Sequence, residues 1–338
     1  KTGKHCYKPK MKGICMKKFN FWKKNYFLSL AFSILFLMPL LAQHQDAGTT
    51  GFSTLKIIYS ARANGMGQAM LGRAKNFDGI QFNPASIIRV PNQGVFTTFA
   101  DHFVGSGGGS VSYVVPKNIY TSYGFYLNYW NSGSIDRTDV GTNGEFIELN
   151  DTFNAQDILA GFTLAKFVSP ALDAGGGIKF VLDQIDDKSA SAVLIDIGIL
   201  HHTANERIKV GLSAKNLGFQ ISHYSDKKYD EGIPFTYGAG FGIDVGKNTL
   251  LNIDITKANG ENFIGKFGVE QQVHPSLVLR GGFKTNAGDY YLGGNMEWTS
   301  GISLGVGWVW KKIALDYAVA SYGDLGLTNQ VSIRYNIE

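Results

Sequence analysis

From about residue 93 to the end of this 338-residue chain, apolar and polar side chains alternate with period two in segment after segment. The stretch IKVGLSAKN sets Ile208, Val210, Leu212 and Ala214 against Lys209, Gly211, Ser213 and Lys215. In YGAGFGIDV, Tyr237, Ala239, Phe241, Ile243 and Val245 oppose Gly238, Gly240, Gly242 and Asp244. FIGKFGVEQQV and the closing VSIRYNI repeat the pattern. Successive side chains of a strand point to opposite faces, so each segment reads as a strand with one apolar and one polar face. About fifteen such segments follow residue 92, most of them near the roughly 9–11 residues that a tilted strand needs to cross a bilayer. Few stretches there read as helix.

Two architectures present such strands: a soluble sandwich with its apolar faces inward, and a membrane barrel with them outward. Three features favour the barrel. Charged residues make up only 17% of the chain, against roughly 25% in an ordinary soluble domain, while glycine (42 residues) and aromatics (13%) are plentiful. The polar faces carry charges on strand after strand: Lys179, Asp196, Lys209, Asp244, Lys266, Arg280, Asp316 and Arg334. Aromatics collect near strand ends, at Tyr129-Trp130, Tyr290-Tyr291, Trp298, Trp308 and Trp310, as interfacial girdles require. Closure also removes the open edges that so long an antiparallel meander would expose. The expected fold class is therefore all-β: a transmembrane antiparallel β-barrel of about 14 strands, since bacterial barrels have an even count. The weakest strand pattern lies between Gln93 and Tyr120, where Gly107-Gly108-Gly109 and Pro116 interrupt it. The longest connections read as polar surface loops, 131–154 and 218–234. Loop alternation from the two ends gives conflicting sidedness.

The N-terminus reads as an export signal over 16–42, with a lysine-rich start, an apolar core from Tyr26 and a Leu40-Leu41-Ala42 junction. Residues 1–15 read as an upstream extension. All nine cationic residues before Gln43 are lysines with no acid among them, so their removal takes the net charge from +5 to 5 − 9 = −4. The basic balance thus belongs to the targeting segment and gives no argument for nucleic acid as a partner. Both cysteines, Cys6 and Cys15, also precede Met16, which excludes thiol chemistry and cysteine metal sites from the processed chain.

Residues 43–92 do not alternate and form an N-terminal segment before the barrel at 93–338. Within them SARANGMGQAM nearly matches a dinucleotide fingerprint, but Met70 stands where the third glycine belongs and no βαβ unit surrounds it. The order Gly65, Gly67, Ala69, then Asp78, then Asn83-Pro84-Ala85 resembles the N-terminal hatch of FadL-like outer-membrane proteins. The fuller GFSTLKIIYSARANGMGQAM, with Arg62 in Ala-Arg-x-x-Gly-Met-Gly, resembles the PorV/PorQ family of Bacteroidetes-type bacteria. So does DYAVASYGDLGLTNQVSIRY near the other end, through Asp316, Tyr317, Ala318, Tyr322, Gly323, Asp324, Leu325, Gly326 and Thr328. One acid, Asp78, stands before Asn-Pro-Ala where that family has a pair. The resemblance spans roughly 49–338 and implies a FadL-like barrel with the hatch in its lumen.

The small hatch residues are expected to permit close packing, and Asn83-Pro84 a tight reversal; Arg62 and Asp78 are expected to pair with lumen groups. His201-His202 and His223 show no nucleophile–base–orienter set, and a His pair at a strand end reads as solvated. Asp183, Asp186 and Asp187 lack the spacing of a calcium loop. No catalytic residue, metal or cofactor is expected. Two functions follow from the resemblances. The PorV/PorQ likeness implies a non-enzymatic component of type IX protein secretion, with secretion-machinery and cargo proteins as partners beside outer-membrane lipid. The FadL likeness implies a channel for hydrophobic small molecules, with such a ligand or detergent in the lumen.

Overall fold

The computed structural model describes residues 48–73, 77–227, 229 and 232–337; the expected signal and upstream extension lie outside the described residues. Among the described residues sixteen strands form, in chain order β1 Gly94–Asp101, β2 Gly107–Asn118, β3 Thr121–Asn131, β4 Ile135–Val140, β5 Phe146–Phe153, β6 Ala155–Ser169, β7 Leu172–Ile185 and β8 Lys188–His202. They continue as β9 Ile208–Ser222, β10 Thr236–Val245, β11 Thr249–Ala258, β12 Ile264–His274, β13 Leu277–Lys284, β14 Ile302–Trp310, β15 Ile313–Ser321 and β16 Leu327–Asn336. Fourteen of them close into one antiparallel barrel, each wall strand pairing with its neighbour in sequence and β1 closing against β16. The other two, β4 and β5, pair only with each other and make a hairpin within the stretch that reads as a plain loop. The interrupted 93–120 stretch supplies two regular strands, β1 and β2, in continuous register from Gly94↔Val114 to Asp101↔Gly107.

Alternation sorts the side chains as a membrane barrel requires. Ile195, Ile197 and Ile199 of β8 face out, whereas Asp196 between them is 3% exposed. The same holds for Ile178 and Phe180 around the buried Lys179 of β7. Trp308 and Trp310 stack on the outer surface at one end of β14, 6.2 Å apart. Trp130 departs from the expected girdle: it sits one residue out of phase with Tyr129 and packs inward with Tyr59 and Ala100. No described helix is long and apolar enough to cross a membrane.

Both barrel ends of the chain, at Gly94 and Asn336, lie on the same rim, because an even number of antiparallel strands returns to its starting side. The turns on that rim are short, at 119–120, 170–171, 203–207, 246–248, 275–276 and 311–312. The opposite rim carries the long connections at 132–154, 223–235 and 285–301. Short turns face the periplasm in bacterial barrels and long loops face outward, which settles the sidedness that loop alternation left open.

Candidate functional site: a plug seated in the lumen

The described residues between 50 and 90, all but 74–76, lie within the barrel with almost no regular structure: one helical turn, α1 Ala61–Asn64, and short 3₁₀ turns at Ser53–Lys56, Asp78–Gln81 and Pro84–Ile87. Irregular backbone away from water needs partners for every N–H and C=O, and here the wall supplies them. Ser60 N–H donates to Gln330 (3.2 Å) and Ala61 N–H to Ser332 Oγ (2.8 Å). Gly67 N–H donates to Ser303 Oγ (3.0 Å), while Met70 and Leu71 N–H both reach Asp254 Oδ2 at 2.6 and 2.8 Å. Asn252 donates to the Ala69 carbonyl at 2.6 Å. These wall residues escape motif reading; the one signal for them in the sequence is a short polar side chain at an inward position of a strand.

Close approach is possible because glycines floor the seat. A Cβ on Gly65 would stand 2.9 Å from Gly305 Cα, and one on Gly67 2.6 Å from Phe283 N. On the wall side, side chains at Gly175, Gly198, Gly211, Gly242, Gly268 and Gly282 would collide with plug atoms. Gly67 also has φ +61°, a conformation in which a side chain is strained.

The remaining motif residues fall into place around this seat. Ser60 caps α1 by accepting from Ala63 N–H (3.0 Å), and its hydroxyl donates to the buried Asp78. Asn83 Oδ1 accepts from Ala85 N–H (3.1 Å) and caps the turn whose first residue is Pro84; its amide donates to the Ile199 carbonyl of β8 at 2.9 Å. Ala69 and Ala85 are fully buried, the latter against Leu200.

Arg62 is the charged anchor. Its guanidinium grips Glu270 of β12 through Nε and Nη2, both at 2.7 Å. Glu270 also accepts from Arg280 Nε (2.8 Å), and Arg280 Nη1 reaches Asp316 at 2.7 Å. The two sequence motifs, 254 residues apart, thus meet through two wall residues outside either motif. Burial by itself disfavours the Arg62 cation, but Glu270, with Asp78 and Asp316 behind it, holds that guanidinium charged above its ordinary value.

The rest of the C-terminal motif lies on the outer rim. Tyr322 packs edge-on to Tyr290 (4.8 Å), Phe103 and His102 (both 5.5 Å). Asp324 accepts from Gly294 and Met296 N–H at 3.1 and 3.0 Å, binding the 285–301 loop to the β15–β16 turn. Gly323 and Gly326 have φ +64° and +109° in that turn, and Thr328 is buried at its end. Tyr317 faces outward, its hydroxyl donating to Asn329 at 2.8 Å.

The reading of the His pair as solvated needs correction. His202 is buried rather than solvated, 2.7 Å from Asp173, which also holds Arg89 at the plug's end (2.6 Å). It faces in because the strand phase at His202 matches that of Leu200. Asp183 likewise lies buried inside β7, while Asp186 pairs with Arg137 of the hairpin at 2.9 Å. No group of three or more His, Cys, Asp or Glu among the described residues could hold a metal.

Cavities flank the plug. The outer one, about 380 Å³, is lined from the plug by Leu55, Lys56 and Gln68 and from the outer loops by Glu261, Asp289, Tyr290 and Tyr322. The inner one, about 570 Å³, is lined by Arg73 and Arg89 of the plug and by the periplasmic turns around Glu206 and Lys247. A third hollow, about 390 Å³, lies where β9 runs past the start of β10, lined by Leu217, Phe219, Ile233 and Phe235 together with Asn216, Gln220 and Asn259. There β9 carries a bulge, with Lys215 and Asn216 opposite the single Asp196 of β8, and Asn216 N–H donates to Asp196 at 2.8 Å.

No family model and no curated protein matches this sequence. Solved structures do share its fold. The toluene transporter TodX of Pseudomonas putida superposes with a TM-score of 0.61 at 12% identity, over 82% of this chain and 98% of that one. The toluene transporter TbuX of Ralstonia pickettii gives 0.57 at 12% identity, over 83% and 98%. A FadL homologue from Pseudomonas aeruginosa gives 0.54 at 10% identity, over 83% and 98%. These likenesses support the FadL-like architecture and leave the PorV/PorQ branch resting on the sequence motifs. The chain is a closed 14-stranded antiparallel β-barrel that shares the fold of these transporters and of the FadL homologue.

Proposed function

We propose that this chain is a non-enzymatic channel for small molecules of hydrophobic character, with residues 43–92 as its hatch. Arg62, Gly65, Gly67, Ala69, Asp78 and Asn83-Pro84-Ala85 form the seat from which that hatch shifts. One observation carries the reading: the plug separates a cavity facing the outer loops from one facing the periplasmic turns. A small displacement of a segment with so little regular structure joins the two. Structural neighbours are named as toluene transporters and a monoaromatic hydrocarbon channel.

The secretion reading has its own support in the two PorV/PorQ-like motifs, and it assigns the working surface to the outer loops rather than to the lumen. Gene deletion separates the two. The channel reading expects slower uptake of labelled toluene, restored by the intact gene, with protein secretion unchanged. Normal uptake together with cargo retained in the cell would sink it and favour the secretion role.

A further inference from the structure

We propose that the outer cavity is a binding site for a compact organic dianion, with Lys266 of β12 and Lys284 of β13 as its cationic contacts. The inference goes beyond the channel reading, adding an anion site on the outer side of the plug to a barrel read as passing hydrophobic molecules. Four lysines line this one cavity, Lys56, Lys215, Lys266 and Lys284, against two acids, Glu261 and Asp289. Two of the four are already engaged: Lys56 pairs with Glu261 at 2.8 Å, and Lys215 donates to the Gln81 carbonyl at 2.9 Å. Lys284 lies 4.9 Å over the Tyr322 ring, an attraction that leaves ammonium hydrogens for an acceptor.

Lys266 makes no hydrogen bond or ion pair among the described residues, although Lys284 and Lys215 are both within electrostatic range of it. Asp254, opposite Lys266 in the β11–β12 ladder, is the acid nearest in effect; its Oδ2 accepts from two backbone N–H groups of the plug, its Oδ1 has no hydrogen-bond partner, and it forms no ion pair with Lys266. Ammonium groups gathered in a partly enclosed space repel one another strongly unless an anion joins them. The excess of two positive charges in the lining matches a dianion, and Thr256, Asn286 and Tyr290 offer further hydrogen bonds.

Size sets the other limit. At about 380 Å³ the cavity takes a small molecule. The adjoining space among Ile58, Leu71 and Phe82 amounts to only about 30 Å³, too little for a long alkyl chain. On the far side of the plug, Arg73, Arg89, Arg207, Lys209 and Lys247 line the inner cavity. An anion leaving the outer site therefore meets positive charge again.

Calorimetric titration of the purified full barrel in detergent tests this, with phthalate as probe and its uncharged dimethyl ester as control. Phthalate is expected to bind, more weakly as salt rises, and the ester is not. In a Lys266→Gln/Lys284→Gln variant that keeps its heat-modifiable gel shift, phthalate affinity is expected to fall at least tenfold. Asp289→Asn, which removes a negative charge from the lining, is expected to tighten binding several-fold, a gain that misfolding cannot produce. Absence of phthalate binding, equal binding of the ester, or affinity unchanged in both variants overturns the inference. Toluene uptake persisting in cells under any of these results leaves the channel reading standing, whereas its absence removes that reading too.

Discussion

Arg62 brings a cation into a lumen whose dry parts cannot solvate it, and Glu270 is what makes that tolerable. With their side chains only 10% and 14% exposed, each depends on the other, and Glu270 serves Arg280 as well. Removing one member of a buried pair costs about 3–5 kcal/mol because the other charge is left uncompensated. Glu270→Gln is therefore expected to unseat the plug, seen as faster proteolysis within 43–92 and increased leak in planar bilayers. Adding Arg62→Met should recover part of the loss, since a double-mutant cycle subtracts the stranded charge; no recovery would mean that the pair is not coupled. A second residue-scale effect concerns His102 in the β1–β2 turn, edge-on to Trp130 and Tyr322. Burial, and then the nearby Lys284, push its pKa from 6.5 down to about 4. The folded chain thus resists a proton that the unfolded chain accepts, so stability is complete above about 6.5 and erodes as pH falls toward 4. Thermal unfolding followed by gel shift is expected to show that loss, and His102→Phe to flatten it. Overlapping profiles of the two proteins would refute the assignment. Arg62 itself stands out in the sequence through its motif, but Glu270 does not, because 208 residues separate them and nothing local marks the pairing.

Among the elements, the plug and the hairpin show what periodicity can and cannot reveal. Strand faces were legible because lipid outside and polar groups inside impose one rule on every wall strand. The hairpin was not, because β4 and β5 are exposed on both faces and no burial pattern distinguishes them from a polar loop. The high glycine content was visible, but its purpose was not: much of it lies on inward wall positions opposite the plug. Gly282 on β13 is the sharpest case, since a Cβ there would overlap Gly67 N. Gly282→Val is expected to let the wall pair normally, as valine suits a strand, while excluding the plug from its seat. Such a variant should retain heat-modifiable migration and lose protease protection of the segment around Arg62. Protection equal to that of the unaltered protein would show that the plug does not depend on this contact.

At the scale of the molecule, strand parity decides what faces the cell. Fourteen strands return the chain to its starting rim, so one miscounted strand in the sequence inverts every loop on one side of the error. That is why sidedness was unreadable even though the barrel itself was plain. Once β1 and β2 are both counted and β4–β5 is removed from the wall, one rim carries short turns alone and all the long connections fall on the other. The hairpin then lies on the outer side, where Arg137 ties it to Asp186 of the β7–β8 turn and, within the hairpin, to Asp151, in place of wall pairing. An epitope inserted between Gly141 and Gly144, in the β4–β5 turn, is expected to bind antibody on intact cells without altering heat-modifiable migration. The same epitope at Lys247, in the β10–β11 turn, should become reachable only after the outer membrane is permeabilised. The reverse pattern would place the plug's cationic outer cavity on the periplasmic side, and with it the direction in which a solute meets the hatch.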